Sequence, residues 1–513
     1  MSTHTRRTPR PTPRPTCLGV VCAALSVDPG SVADLVVTGV TLDSRDVRDG
    51  DLFVALTGER VHGATFAAQA AQSGAVAVAT DVAGASLVDS ILPCLVIDDL
   101  RARVGELAAE IYGRPAADLL VLGVTGTNGK TTTSYLLESG LRAAGHRTGL
   151  VGTVATLIDG EAFETVRTTP EAPELHALLA VMRERGVTAV AMEVSSHALA
   201  MGRVDGCHFD VAGFTQLAVD HQDFHGSQEA YFAAKQALFQ PALSKAAVIV
   251  IDDDGGRQMA QAAKTESVTV GMSSDADWVI GDVRERRGGG HDFALTDQGG
   301  SVQPGRVRLM GRFNVTNAAL AQVMLATAGV DPEAAARGVG ECRGVPGRME
   351  RIGPDEVALV VDYAHTTDAL GRAIDAVTPD AGGDVIVVFG CGGDRDASKR
   401  EPMGAVAAAR AAVVVVTDDN PRSEPPDVIR QAVLAGTAQV PAPGRAEVIE
   451  VEDRRVAMEV AVRRARPGDV VLVAGKGHES GQEVGSAVTL FDDRVELLAA
   501  WQRVRGHSAG GQA

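Results

Sequence analysis

The stretch LLVLGVTGTNGKTTTSYLLESGLRAAG, residues 119–145, decides the fold. Its apolar opening, Leu119–Val124, reads as a buried strand. The strand runs into Gly126-Thr127-Asn128-Gly129-Lys130-Thr131-Thr132 and then into a helix that Gly145 can cap. Glycines at such a turn let successive backbone N–H groups converge on phosphate oxygens, and the helix N-terminus adds a favourable dipole. Lys130 is then suited to bridge the β- and γ-phosphates of a nucleotide, and the Thr131 hydroxyl to ligate Mg²⁺. The usual GxxxxGK[ST] spacing is not met, because Val124 holds the first glycine position and the nearest glycines are Gly123 and Gly126. An ordinary turn is the alternative. The strand–loop–helix context favours ATP or GTP binding.

Outward from this loop, short Val/Ile/Leu/Ala runs alternate with Ala- and Leu-rich helical stretches. Strands are predicted at Leu119–Val124, Val187–Glu193, Val248–Ile251, Val357–Val361, Val385–Phe389, Val413–Val416 and Val470–Val473. Nearly continuous β-branched runs between helices indicate an α/β chain with parallel sheets covered on both faces. The 513 residues suggest about three domains. Boundaries are placed after the helical Val104–Tyr112 and after Pro332–Val339, giving domains at 17–116, 117–343 and 344–505. Residues 1–16, with four arginines, four prolines and no acid, read as a disordered tail, as does 506–513.

Composition narrows the function. A net charge of −18 argues against a nucleic-acid binder driven by bulk charge, and 4% aromatics leave few platforms for stacking bases. No apolar stretch is long enough to span a membrane, and no secretory signal is convincing. Six cysteines without a CxxC pair favour a reducing compartment, so a cytoplasmic enzyme is expected. Only six of the 48 basic residues are lysines, and Lys130, Lys235 and Lys476 lie inside candidate motifs. Lys245 and Lys264 need no special reading.

In an open parallel sheet, ligands gather beyond the carboxyl ends of the strands. Glu193, ending the strand in MEVSSH, is there placed to bind Mg²⁺, with Ser195, Ser196 and His197 facing the same crevice. A solvated cap is the alternative for that acid. In YFAAKQALF, helical spacing sets Lys235 alone on one face, where a snorkelling surface amine is the simpler reading.

GTNGKTT, RTTPE, MEVSSHAL, DHQDFHG, YFAAKQALF, GRFNVTNAALA, DYAHT, FGCGGDRD, DNPRSE and GKGHESGQ occur in the order found in Mur ligases. The chain resembles that family over about residues 40–495, and within it the branch that adds the third residue of the peptidoglycan stem. The resemblance implies three α/β domains: one for the UDP end of the substrate, a central P-loop-type ATP-binding domain, and a Rossmann-like C-terminal domain for the incoming amino acid. It implies Mg²⁺ and ATP; closure of the domains and a monomer are expected. Its substrates would be UDP-MurNAc-L-Ala-D-Glu and diaminopimelate, with no nucleic acid or membrane partner.

By resemblance the catalytic set is Lys130, Glu193, His221 and Lys235, with Lys235 carried as an N-carbamate that bridges Mg²⁺. Only an amine condenses with CO₂, and Mg²⁺ prefers hard oxygens, so the residue type suits that role. The metal set is Thr131, Glu193, His221 and carbamylated Lys235. Asn317, Arg348 and Asp362 join Gly126 through Thr132 in holding ATP. Leu42, Ser44, Thr168, Thr169, Ser195 and Arg203 match positions for the UDP substrate; read by themselves they are turn and cap residues.

Four C-terminal strands run into polar motifs at Asp362, Gly392–Arg395, Asp419–Arg422 and Gly475–Glu479, and parallel strands put all four on one edge. By resemblance Arg395, Asn420, Pro421, Arg422, Ser423, Gly475 and Glu479 form the diaminopimelate pocket. Arg422 can fork onto the distal carboxylate and Glu479 can pair an ammonium, whereas lysine would leave Arg422 without a partner. Three departures stand out: Gln216 for the usual asparagine, Thr367 for a proline, and Ala397-Ser398 for a pair ending in glycine. The rival readings are a lysine-adding or folate-glutamate ligase, and a nucleotide-binding paralogue without catalysis. DNPR and the intact Lys130–Lys235 set speak against them.

Overall fold

The computed structural model describes residues 9–58, 60–88, 90–163, 167–286, 289–353, 356–378 and 382–506. The chain divides into two compact units, one of residues 1–283, 293–306 and 316–342, the other of 284–292, 307–315 and 343–513.

The first unit carries two larger sheets and a two-stranded one. A four-stranded parallel sheet is built from Gly39–Thr41, Asp51–Ala55, Ala77–Thr80 and Cys94–Val96. In an eleven-stranded sheet the strand Leu120–Thr125 lies between Ala189–Glu193 and Phe209–Phe214, parallel to both. These strands are apolar nearly throughout because helices cover both faces, so alternation has no solvent side to mark. The helix Lys130–Ala143 follows the central strand directly, and Ala172–Glu184 precedes its neighbour. A capping box between Glu171 and Glu174, with Pro173 in the first turn, starts that second helix.

The second unit holds a six-stranded sheet in the order Glu350–Ile352, Ala358–Asp362, Val470–Ala474, Val385–Phe389, Val413–Val416, Glu447–Glu450. All are parallel except the first, which runs against its neighbour. Chain order and strand order differ, and the polar loops collect at the shared carboxyl edge.

The expected N-terminal tail is corrected. Residues 1–8 lie outside the described residues, but residues 9–16 are held against the fold. Arg10 pairs with the buried Asp51, and the Thr12 backbone N–H donates to both Glu184 oxygens at 3.1 Å. Thr16–Cys17 then pairs antiparallel with Val36–Val37. A segment without acids of its own looks unsupported in sequence, and the anions that hold it are 41 and 172 residues away. At the other end the helix Asp493–Gly506 takes in Gly506, and residues 507–513 lie outside the described residues.

Candidate active site

The phosphate loop is shaped by close approaches. At Gly126 φ is +141°, and a Cβ there would lie 1.9 Å from Thr215 Oγ1, so only glycine fits. The Thr127 N–H donates to Gln216 O at 2.9 Å, and Thr215 Oγ1 donates to Asn128 O at 2.6 Å, tying the loop to the segment after the strand Phe209–Phe214. Asn317 abuts the same loop, its Oδ1 standing 2.6 Å from where a Cβ on Gly129 would be. Lys130 Nζ donates to Gly126 O and Thr127 O, both at 2.9 Å.

Glu193 is buried at its strand end. Its Oε2 accepts from Thr131 Oγ1 at 2.9 Å and from Thr153 Oγ1 at 3.1 Å, while Oε1 accepts the Thr153 N–H at 2.7 Å. A buried carboxyl group needs such hydrogen-bond partners to offset its lost hydration. Thr131 and Glu193 thus present hard oxygens side by side at a helix start, a donor pair that suits Mg²⁺.

Lys235 is 1% exposed, which excludes the snorkelling surface amine. Its helix, Gln228–Gln236, is capped by Ser227 and aims the side chain inward. Nζ donates to Gly126 O at 3.0 Å and lies 4.3 Å from the centre of the Tyr231 ring. Burial, reinforced by the Lys130 cation, pushes the amine well below the ordinary lysine range, against the opposing pull of Asp220. A neutral amine is the form that reacts with CO₂.

His221 has a φ of +51°, a conformation that costs a non-glycine residue energy, and sits 3.4 Å from the Asp220 carboxylate. Desolvation lowers its pKa, and Lys130 and Lys235 lower it further. His197 packs edge-on against it with ring centres 4.8 Å apart, and His225 reaches Ser196 Oγ at 3.0 Å. Among the described residues no three His, Cys, Asp or Glu side chains converge to hold a metal.

At the carboxyl edge of the second unit, Asn420 Nδ2 donates to Glu479 Oε2 at 2.9 Å and Lys476 Nζ donates to Asn420 Oδ1 at 2.8 Å. Arg422, itself at a φ of +51°, donates from Nε to Glu483 Oε2 at 2.8 Å and from Nη1 to Gly393 O at 2.9 Å. Ser423 Oγ donates to Asp394 Oδ1 at 2.7 Å. Asp362 accepts the Met349 and Ala364 N–H groups at 2.8 Å each, and its pKa is raised by burial against the pull of Arg348.

Three family models match the chain: "Mur ligase family, catalytic domain" over 36–112, "Mur ligase middle domain" over 124–325 and "Mur ligase, glutamate ligase domain" over 347–477. The chain belongs to the Mur ligase family. It is 52% identical to a UDP-N-acetylmuramoyl-L-alanyl-D-glutamate–2,6-diaminopimelate ligase of Streptomyces avermitilis, over 92% of this chain and 94% of that protein. A protein of the same description from Corynebacterium glutamicum is 46% identical over 93% of this chain and 94% of its own length. A solved structure described in the same words superposes with a TM-score of 0.70 at 34% identity, covering 96% of this chain and all of that one. A MurF ligase from Thermotoga maritima in complex with ADP shares the fold, with a TM-score of 0.63 at 19% identity over 92% of this chain and 98% of that one. The fold is the three-domain Mur ligase fold.

Against this frame, the residues matched to the family's UDP-substrate positions fall into two groups. Thr168, Thr169, Ser195 and Arg203 form one cluster beside Glu193: Thr169 Oγ1 donates to Glu193 O at 2.9 Å and accepts the Ser195 N–H at 3.1 Å. Thr168 Oγ1 is 3.0 Å from Thr153 Oγ1, and Arg203 pairs with Glu171 at 2.8 Å. Ser195 caps the helix Ser196–Ala200, accepting the Ala198 N–H, as the cap reading expects. Ser44, buried and donating to Gln69 Oε1 at 3.1 Å, and Leu42 lie on the four-stranded sheet's loop; on that loop the hydrogen bond from the Arg45 side chain lowers the pKa of Asp43, with a smaller electrostatic contribution from Arg167. Arg395 stands exposed on the loop after Gly393.

Sequence reasoning missed Thr153, Thr215 and Tyr231. Thr153 and Thr215 meet the site through tertiary contact, whereas Tyr231 was within reach at the head of YFAAKQALF, one helical turn before Lys235. His225 was within reach in DHQDFHG, where the second histidine recurs one helical turn after His221. The departures are accommodated locally: Gln216 uses its backbone carbonyl to hold Thr127, Thr367 opens a helix capped by Thr366, and Ala397-Ser398 form a short turn capped by Asp396.

Proposed function

We infer that this chain is the ATP-dependent, ADP-forming ligase that joins 2,6-diaminopimelate to the D-Glu γ-carboxylate of UDP-MurNAc-L-Ala-D-Glu, in peptidoglycan precursor synthesis. The observation that carries the reading is near-full-length identity of 46–52% to ligases of that description. Three domains, at about residues 17–116, 117–343 and 344–505, are proposed to divide the labour, with support from the ranges matched by the family models.

In this reading Gly126 through Thr132 and Asn317 cradle the ATP phosphates, and Arg348 and Asp362 are proposed as further ATP-binding residues. Lys130 leaves its loop carbonyls to neutralise charge as the γ-phosphoryl group moves to the substrate carboxylate. Thr131 and Glu193 would hold Mg²⁺, and His221 with carbamylated Lys235 would hold a second ion. When bound, Mg²⁺ screens the charge on the transferring phosphoryl group. Thr168, Thr169, Ser195 and Arg203 orient the nucleotide-sugar peptide, with Leu42 and Ser44 at its uridine end. The acyl phosphate is attacked by the diaminopimelate amine, which Arg395, Asn420, Pro421, Arg422, Ser423, Gly475 and Glu479 hold in position, and phosphate departs.

The chain is proposed to act in the cytoplasm as a monomer without nucleic-acid or membrane partners. Support comes from six cysteines that form no disulfide and from the net charge of −18. Phosphate release from purified UDP-MurNAc-L-Ala-D-Glu and ATP, with diaminopimelate or lysine as acceptor, tests the assignment. Release with lysine but not diaminopimelate would overturn it.

A further inference from the structure

Lys476 is 0% exposed, yet the carboxylate it faces, Glu479, keeps 33% of its side chain accessible. The loop that carries it leaves the strand Val470–Ala474 through Gly475, where φ is +115° and a Cβ would lie 2.6 Å from Asp419 Oδ2. That glycine lets the chain turn the lysine inward beneath the strand-end motifs.

An ammonium has three donors and no acceptor. Lys476 Nζ therefore meets Asn420 through the amide oxygen, at 2.8 Å, and the Glu483 backbone N–H donates to the same oxygen at 3.1 Å. With two donors on Oδ1, the amide cannot flip without setting donor against donor. Its NH₂ group is left to donate to Glu479 Oε2 at 2.9 Å, and Lys476 itself stands 3.4 Å from that oxygen.

We propose that Lys476 is a positioning residue of the amino-acid pocket, fixing the Asn420 amide and through it the Glu479 carboxylate that receives an ammonium of the incoming amino acid. The inference rests on the reading of that pocket given above. Lys476 is too deeply buried to touch the substrate; it acts through the two side chains that do. Its positive charge also favours the ionised form of Glu479, whose pKa is raised by burial and by Asp419 and lowered by Lys476 and Asn420.

The test is steady-state kinetics of Lys476→Met. The expected result is a KM for diaminopimelate raised roughly 30-fold, with kcat and the KM values for ATP and the UDP-dipeptide within about twofold of wild type. A merely structural lysine would lower thermal stability and disturb all three KM values together. An unchanged diaminopimelate KM in a folded variant overturns the proposal. If wild type itself does not use diaminopimelate, the pocket assignment fails instead, and the two failures are told apart by that control. Should Lys476→Met not fold, a wild-type structure with the amino acid bound decides: the proposal requires Nζ within hydrogen-bonding distance of Asn420 Oδ1, and a separation beyond about 4 Å overturns it.

Discussion

Lys235 and Lys476 are buried to the same degree, at 1% and 0% exposure, and their surroundings differ in kind. Lys235 has a loop carbonyl, the face of Tyr231 and a second lysine for neighbours. Nothing there compensates fully for a desolvated cation, so the amine is pushed toward neutrality, the form the proposed carbamate requires. Lys476 has an amide oxygen at 2.8 Å and a carboxylate oxygen at 3.4 Å, and serves them as a fixed donor. Burial by itself does not assign a role to a lysine. The polarity of the atoms within about 3.5 Å does.

The comparison is sharpened most by Lys130, the cation beside Lys235. Lys130→Ala is expected to lower kcat by roughly 100- to 1,000-fold, since a donor aimed at developing phosphoryl charge is lost while the core is intact. Phosphate-release kinetics on the folded variant check it; near wild-type turnover would remove the phosphate-loop assignment.

Lys235→Ala should cost about 100-fold, and short carboxylic acids should restore part of the activity by supplying oxygens in place of the carbamate. Intact-protein mass measured under CO₂ should show the added group on wild type and not on the variant. An unmodified, fully active wild type would break the contrast between the two lysines.

In the amino-acid pocket, Arg422→Ala should lower kcat/KM for diaminopimelate by roughly 30-fold while leaving the poor use of lysine unchanged. Equal losses for both amino acids would mean that Arg422, already bonded to Glu483 and the Gly393 carbonyl, supports its loop rather than reading the substrate.

The smallest effect at neutral pH is expected at His176, a buried base outside both sites. Like Lys235 it has a backbone carbonyl partner, Asp205 O at 2.9 Å, and burial lowers its pKa to about 4. The unfolded chain binds a proton near pH 6.5 that the folded chain refuses, so stability present above that pH is lost as pH falls toward 4. Denaturant titrations across this window should find His176→Gln less acid-sensitive than wild type, by on the order of 2–3 kcal/mol. Superimposable pH profiles would show that desolvation alone does not shift a buried base in this fold.

Much of the fold was legible because its strands are short β-branched runs, closed off by glycine or aspartate. Val385–Phe389 and Val413–Val416 form the strands expected of them, and Leu119–Val124 is displaced by one residue. The motifs at strand ends were legible for the same reason: a parallel sheet puts the end of every strand on one edge. What escaped was whatever depends on contact between distant segments. The first residues seemed unsupported because Asp51 and Glu184 are remote in sequence, and Thr153 carries no motif although it donates twice to Glu193.

The sequence by itself determined the α/β class, the strand–loop–helix at Gly126–Thr132 and membership of the Mur ligase family, because these rest on local periodicity and on motifs read in order. Only the tertiary structure decided which lysines are buried and what they face. Helical spacing places Lys235 on one side of its helix but does not say whether that side meets water. The glycine before Lys476 permits an inward turn but does not name Asn420 as its partner. Desolvation and hydrogen-bond geometry depend on atoms brought together from far along the chain, and those terms set the charge of an amine.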